Sequence, residues 1–206
     1  MEFQLSLDEG KYVVRLARDA IETTLHSKIS FRPRNIPLKL QAHCGVFVTL
    51  NKVIGNAHEL RGCIGLPYPV KTLAEAIVDS AVSAALNDMR FQPVTSTEMD
   101  SIIIEVSVLT PPEIIKVEDP KDILNHIKVG RDGLIISRGS NRGLLLPQVP
   151  VEYGWSKEEF LEQSCTKAWL PRNSWLLQDT EVSKFQAIIF AEEAPRGMVK
   201  RKELHG

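Results

Sequence analysis

The stretch SIIIEVSVL, residues 101–109, constrains the fold more than any other part of the chain. Its nearly continuous run of β-branched and aliphatic residues is typical of a strand that is buried on both faces. A strand of this kind needs a hydrogen-bonded neighbour along each edge. We therefore expect residues 101–109 to lie at the centre of a sheet.

Two shorter stretches that precede it are predicted to form a β-hairpin. They are CGVFVTLN, residues 44–51, and LRGCIGL, residues 60–66. A short polar span between them contains Gly55-Asn56, a dipeptide that tolerates the positive φ angles of tight turns. Both faces of the second stretch carry apolar partners, so we expect it to be an interior strand.

The predicted hairpin also fixes a register. If Gly55-Asn56 forms the tip, Cys63 lies opposite Val48, and Arg61 projects from the same face as Cys63. The opposite face then carries Leu60, Gly62 and Ile64. Cys44 is too far along the partner strand to reach Cys63, so both thiols are expected to be free.

Helices flank these strands. Ser6 and Glu9 form a capping box that opens an amphipathic helix to about Leu25, and a second helix is predicted over VKTLAEAIVDSAVSAALND. Later signals predict a short helix after Asp119-Pro120, strands at GLIIS and GLLL, a helix opened by Ser156, and a last strand at SKFQAIIFAEE.

The short links between strands favour antiparallel pairing, because parallel strands need long crossovers. The prediction is an α+β fold with a central, mostly antiparallel sheet, packed helices, and one larger and one smaller lobe. Residues 1–194 are expected to form a single domain whose smaller lobe takes parts of 26–42 and 120–154. Residues 195–206 are expected to form a flexible basic tail.

Composition narrows the functional classes. The chain has 25 Lys and Arg against 26 Asp and Glu, a balance that disfavours nucleic acid as a partner. No leader or membrane-spanning stretch is apparent, so we expect a cytoplasmic protein. Its 3 cysteines have no paired CxxC spacing, which favours reduced thiols over disulfides or a metal site. No cofactor is predicted.

Several short motifs occur in a characteristic order: GVFVTL, LRGCIG, DMRFQPVTSTEM, GRDGLII, LLLPQV with Gly154-Trp155, and FAEE. In this order and spacing the chain resembles the AMMECR-type domain family, named after a candidate gene of the Alport syndrome, midface hypoplasia and elliptocytosis chromosomal region. The resemblance implies a two-lobed α+β fold, a cytoplasmic location and no established activity. It also implies a pathway shared with Memo-like proteins and radical S-adenosylmethionine enzymes, although this chain has no CxxxCxxC motif.

The family pattern falls on specific positions of this sequence. They are Arg61, Gly62, Cys63 and Gly65, then Asp88, Arg90, Phe91 and Pro93, then Gly133, Leu146, Pro147, Val149 and Trp155. The pattern does not call for a histidine at His58. Sequence therefore identifies no histidine base for a reactive Cys63.

Two interpretations of this cluster stay open. In the functional one, Cys63 is a nucleophile, Arg61 and Arg90 hold an anionic substrate that Asp88 helps to orient, and Gly62 and Gly65 leave room for it. In the structural one, the thiol is a small buried group and the charged residues form an ion-pair network between the hairpin and the second helix.

Three classes of function follow. The first is a cysteine-dependent enzyme or modifying factor that acts on a small anionic substrate in a cleft beside LRGCIG. The second is a non-catalytic module that binds a partner or ligand, and the third is a nucleic-acid-binding protein. The first class predicts Cys63 at the wall of a cleft formed with residues 88–93, with Arg61 within reach of Asp88.

Overall fold

The structure of the protein, a computed structural model, describes residues 3–27, 31–33 and 35–202. The helices are α1 (Leu7–Ser27), α2 (Leu73–Leu86), α3 (Ile123–His126), α4 (Gln148–Glu152) and α5 (Lys157–Lys167). The strands are β1 (Gly45–Ile54), β2 (Ala57–Leu66), β3 (Ile102–Leu109), β4 (Glu113–Ile114), β5 (Asp132–Arg138), β6 (Asn141–Leu145), β7 (Glu181–Glu192) and β8 (Val199–Lys202). The predicted α+β class and the antiparallel sheet are confirmed.

The chain forms two compact units. The first holds the described residues up to Leu109 together with Ile188–Lys202, and the second holds Thr110–Ala187. Residues 120–154 lie in the second unit. The described parts of residues 26–42, which the sequence assigned to the same smaller lobe, lie in the first unit. Residues 28–30 and 34 of that segment fall outside the described residues.

The first unit has a sheet with two long helices packed on one face. β1 pairs with β2 and with β3, and β3 has the central position that its apolar run predicted. One face of these strands supplies a buried stripe to the core: Val46, Val48, Leu50, Ile102, Ile104, Val106 and Val108. α1 and α2 cover this stripe with alanine and branched aliphatic residues, and the opposite face of β3 carries the buried Ile103, Ser107 and Leu109 beside the half-buried Glu105.

Strand β2 lies at the end of the sheet order, so the prediction of an interior strand is wrong. The hairpin tip is as predicted, with Ile54 opposite Ala57, but the register shifts by one residue at a β-bulge. Beyond the bulge Cys63 lies opposite Thr49 and not Val48. The bulge inserts one extra residue, which reverses the predicted face of every residue that follows.

A buried ion pair joins α1 to the last long strand. Arg18 donates to both carboxylate oxygens of Glu192 at 2.8 and 2.6 Å, and it also bonds Glu22 and the carbonyls of Met99 and Ile102. One Glu192 oxygen also accepts from the amide of Ile104 at 2.9 Å. The pair therefore connects the first helix, the central strand and the end of β7.

Part of the segment after residue 194 forms a strand. Val199–Lys202 pairs with the end of β7 as strand β8, where the sequence predicted a flexible tail. A turn that is closed by a bond from Gly197 to the Ala194 carbonyl returns the chain to β7. The basic side chains therefore lie on an edge strand, a usual place for lysine. Residues 203–206 of the tail lie outside the described residues.

The second unit is a smaller antiparallel sheet with α5 against it. β5 pairs with β6 and with the first half of β7, and β4 pairs with β7 as well. Its core is centred on α5 and includes Phe160, Leu161, Cys165 and Trp175. Trp155 packs at the edge of this core and stacks on Tyr153.

The end of α5 is unusual because a tryptophan occupies a glycine position. Trp169 has φ +59° and is 90% exposed. Its amide bonds the Thr166 carbonyl, and the Leu170 amide bonds the Cys165 carbonyl, which is the hydrogen-bond pattern of a Schellman C-cap. A left-handed conformation is strained for any side chain that has a Cβ atom.

Replacing Arg18 with methionine should lower the free energy of unfolding by about 3–5 kcal/mol, because the buried Glu192 carboxylate loses its counter-charge. Urea denaturation measures the change. Arg15→Met is the matched control, since Arg15 is an exposed arginine on the same helix, and its effect should stay within about 0.5 kcal/mol. Equal effects of the two substitutions would contradict a central role for the pair.

Trp169→Gly should be more stable than Trp169→Ala by about 1 kcal/mol, because only glycine relieves the strain of the left-handed conformation. Both variants remove the same exposed side chain, so alanine controls for its loss. Chemical denaturation of the two variants checks the difference. A more stable alanine variant would mean that the strain is not present.

Candidate functional site

The LRGCIG motif lies on β2 beside the turn that follows α2. Arg61 is the residue that the β-bulge inserts, and Gly62 and Cys63 follow it. Asp88 and Arg90 lie just beyond the end of α2 and reach the free edge of β2. The structure therefore brings together the two segments that the sequence singled out. The residues that bind one another within them differ from the predicted ones.

Arg61 binds Glu98 and not the predicted Asp88. Its Nε and Nη2 atoms donate to the two carboxylate oxygens of Glu98, each at 3.1 Å, and Lys52 donates to the same carboxylate at 3.3 Å. The guanidinium also lies 5.9 Å from the centre of the Phe91 ring. Because the bulge takes Arg61 out of the strand alternation, its side chain is not held beside the thiol as the predicted register required.

The carboxyl group of Glu98 is strongly perturbed by this contact. Hydrogen bonds from Arg61, with further ones from the Thr95 amide and Lys52, outweigh burial and lower the pKa of Glu98 to about 2. A bidentate arginine–carboxylate pair of this kind is a strong anchor. It connects β2 to the short helix at residues 96–101.

Asp88 and Arg90 together cap the free edge of β2 at Cys63. The Asp88 carboxylate accepts from the Cys63 amide at 2.9 Å, and Arg90 donates to the Cys63 carbonyl at 3.2 Å. Arg90 also binds Asp88 through Nε and Nη2 at 2.9 and 2.7 Å, and this contact holds the pKa of the Asp88 carboxyl well below its usual range. The pair thus supplies the acceptor and donor that a neighbouring strand would have provided.

The two glycines of the motif serve packing. A Cβ atom at Gly62 would overlap the Ala84 carbonyl oxygen of α2, and one at Gly65 would overlap the Phe47 ring on β1. Gly62 therefore allows close approach of the helix backbone, and Gly65 is covered by an aromatic side chain across the strand pair. These contacts account for both glycines without a bound molecule.

Cys63 differs from the other two cysteines. All three are free thiols, as predicted for Cys63 and Cys44. Cys44 and Cys165 are buried, and burial raises the pKa of each of these two thiols to about 11. Cys63 is half-buried, and its sulfur lies 3.3 Å from the Thr49 hydroxyl, which donates to it.

Two polar residues that the sequence did not single out lie on the same face of the sheet. Thr49 is the register partner of Cys63 on one side and of Glu105 on the other. The Glu105 carboxylate binds the Nζ atom of Lys202 at 2.6 Å. A thiol, a hydroxyl and a carboxylate therefore form one row across the neighbouring strands β2, β1 and β3, and the ammonium group of Lys202 reaches this carboxylate from β8, which pairs with β7. We call these four residues the thiol row (Cys63, Thr49, Glu105 and Lys202).

Part of the thiol row could be recognised from the sequence. Alternation within SIIIEVSVL marks Glu105 as its only charged residue, on the face opposite the core. Thr49 becomes the neighbour of Cys63 only once the bulge is known. Lys202 could not be found, because its position depends on the pairing of β8 with the end of β7.

A large cleft elsewhere in the first unit is lined by an arginine whose hydrogen-bond donors are all satisfied within the protein. It has a volume of about 910 Å³ and runs along α1 beside residues 196–200, with Arg18 and Glu192 among its lining residues. All five N–H donors of Arg18 have acceptors within the protein. The floor of this cleft is therefore a structural ion pair and not an open anion site.

Metal-binding clusters and membrane-spanning helices are both absent from residues 3–27, 31–33 and 35–202. In these ranges no group of three or more His, Cys, Asp or Glu side chains has an arrangement that could hold a metal ion. Nor does any helix there have the length and apolar character needed to cross a membrane.

An antiparallel α+β fold in two units, with an arginine–glycine–cysteine segment on an edge strand, defines the class of protein. The chain belongs to the AMMECR1 family, whose model matches residues 14–190. Among similar archaeal proteins, Protein PH0010 of Pyrococcus horikoshii is 50% identical over 206 residues, covering 99% of this chain and 100% of that protein. Protein MJ0810 of Methanocaldococcus jannaschii is 52% identical over 200 residues, covering 97% of this chain and 98% of that protein.

The fold is also similar to that of a solved structure. The crystal structure of the uncharacterized protein PH0010 matches with a TM-score of 0.86 at 50% identity, over 98% of this chain and 100% of that one. This likeness confirms the α+β fold that the sequence predicted. The names of these relatives state no reaction or ligand, so the function has to be inferred from the site.

Glu98→Gln should reduce the loss of stability on acidification. The folded pKa of Glu98 is about 2, below its ordinary value of 4.5, so its contribution is present above pH 4.5 and is lost as the pH falls toward 2. The contribution is on the order of 2 kcal/mol. Urea titrations at pH 6 and pH 3 compare the variant with the wild type, and an equal pH dependence would contradict the prediction.

Proposed function

We propose that this protein is a cysteine-dependent enzyme or modifying factor that acts on a small anionic substrate, with the Cys63 sulfur as the reacting atom. The observation that carries the proposal is the thiol row: Cys63 is the cysteine outside the core, and its sulfur shares a sheet face with a hydroxyl, a carboxylate and an ammonium group. A cysteine nucleophile has to be accessible to its substrate and is activated by polar or charged groups around it.

In this proposal the family residues around Cys63 are positioning residues. Asp88 and Arg90 hold the Cys63 amide and carbonyl, so the strand cannot slide or fray at the nucleophile. Arg61 and Glu98 fix the β-bulge that precedes it. A nucleophile whose backbone is fixed on both sides loses little conformational freedom when a substrate binds.

Thr49 contacts the sulfur of Cys63 directly. Its hydroxyl donates to the Cys63 sulfur at 3.3 Å, a contact that orients the sulfur on this face of the sheet. Glu105 is the carboxylate in the same row and lies one strand further from the sulfur. It is the carboxylate in the row that could accept or return a proton, since the sequence identifies no histidine base for Cys63.

A second candidate is a non-catalytic module that binds a partner protein or ligand. It is favoured by the packing roles of Gly62 and Gly65, and by Met89, a fully exposed methionine between Asp88 and Arg90. In that case the LRGCIG motif builds the fold, and the exposed turn is the contact surface. The pathway link to Memo-like proteins and radical S-adenosylmethionine enzymes, and the disfavoured nucleic-acid role, stay predictions.

The proposal predicts that iodoacetamide modifies Cys63 in the native protein, while Cys44 and Cys165 react only after unfolding, because they are buried. Peptide mass spectrometry measures the extent at each cysteine. The protein is also incubated with a metabolite extract. A compound should change with the wild type and with Cys165→Ala, but not with Cys63→Ala.

Any of three results would overturn the proposal. The first is a Cys63 thiol that stays unmodified until the protein unfolds. The second is a metabolite change that persists in Cys63→Ala at the rate of the wild type. The third is a change lost in both cysteine variants, since Cys165 belongs to the core of the second unit and lies outside the thiol row.

A further inference from the structure

The cations near Cys63 differ in how much of each is free to bind a substrate. Arg61 is held by both oxygens of Glu98, and its side chain is only 13% exposed. Arg90 is held by both oxygens of Asp88 and by the Cys63 carbonyl. Three donors of Arg90 are therefore committed to the protein, and the Nη1 atom of Arg61, which has no partner in the described part of the chain, is buried, so both arginines are weakened as anion clamps.

Lys202 is placed differently. Its ammonium group contacts one oxygen of Glu105, and its side chain is 55% exposed. An ammonium group has three N–H donors, so one bond to Glu105 leaves two donors for another acceptor. The backbone of Lys202 is fixed opposite Ile189 in the strand pair of β8 and β7. The cation is therefore held at a defined place while its head group stays accessible.

The separation between the thiol and Glu105, which binds this cation, suits a small molecule. Cys63 and Glu105 are separated by one strand, because Thr49 is the register partner of both. At the usual spacing between strands their backbones are about 10 Å apart. A ligand that contacts the sulfur at one end and Lys202 at the other needs about three to five bonds between its reacting atom and its anionic group.

We propose that Lys202 is the residue that binds the anionic group of the substrate, and that Glu105 holds Lys202 in place when the site is empty. This inference rests on the proposed function and names the substrate class more closely: a small molecule with a carboxylate or phosphate group at one end and its reacting centre at the other. Both groups present the oxygen acceptors that an ammonium ion binds.

Alkylation of Cys63 with two reagents of different charge tests the proposal. Iodoacetate carries a carboxylate and iodoacetamide is a neutral reagent of nearly the same size. Changes in the fold or in the thiol itself alter both rates, whereas a cation near the sulfur favours only iodoacetate. The ratio of the two rates at Cys63, measured by peptide mass spectrometry at low ionic strength, therefore reports the local charge.

The variants are chosen to move this ratio in opposite directions. Lys202→Gln should lower the iodoacetate to iodoacetamide ratio by about two- to fivefold, because it leaves Glu105 uncompensated. Glu105→Gln should raise the ratio by a similar factor, because it leaves Lys202 uncompensated. Lys200→Gln is the matched control: it lies on the same strand but is paired with Glu193, and the ratio should stay within the error of the wild type.

The outcomes separate the two proposals. If Cys63 is alkylated but the ratio does not change in Lys202→Gln or Glu105→Gln, this inference is wrong and the reactive cysteine stands. The inference is also wrong if Lys200→Gln lowers the ratio as much as Lys202→Gln. If native Cys63 is not alkylated by either reagent, the proposed function fails, and this inference fails with it.

Discussion

The buried pair of Arg18 and Glu192 is the contact on which the first unit depends. It joins α1, the first helix, to the end of β7, with 174 positions separating the two residues in the sequence. Its other bonds reach the carbonyl of Ile102 and the amide of Ile104, so the central strand is attached at the same point. A buried charge pair has to be fully hydrogen-bonded to offset its desolvation, and this one is.

A second constraint acts at the opposite edge of the sheet. β2 is an edge strand with glycines that keep its surface flat for α2 and for the Phe47 ring. An exposed edge of this kind invites pairing with another chain. Asp88 and Arg90 occupy the edge at Cys63 with side-chain groups instead of a strand. The same hydrogen bonds therefore protect the strand edge and fix the backbone at Cys63.

The candidate chemistry follows from these two constraints. Helices cover one face of the sheet, and the other face carries Cys63, Thr49 and Glu105 side by side on β2, β1 and β3. Strand β8 adds Lys202 to that face through Glu105. The family residues then fix Cys63 in place, while the groups that would meet a substrate are Thr49, Glu105 and Lys202.

The sequence by itself determined the elements: the capping boxes, the hairpin tip at Gly55-Asn56, the central strand and the free thiols, because each depends on residues that are close in the chain. Only the tertiary structure decided the partner of Arg61, the edge position of β2 and the place of Lys202. One bulged residue reversed the predicted face of Cys63, and local propensity does not encode a bulge. Contacts between residues far apart in the chain depend on how the elements pack, which no short pattern specifies.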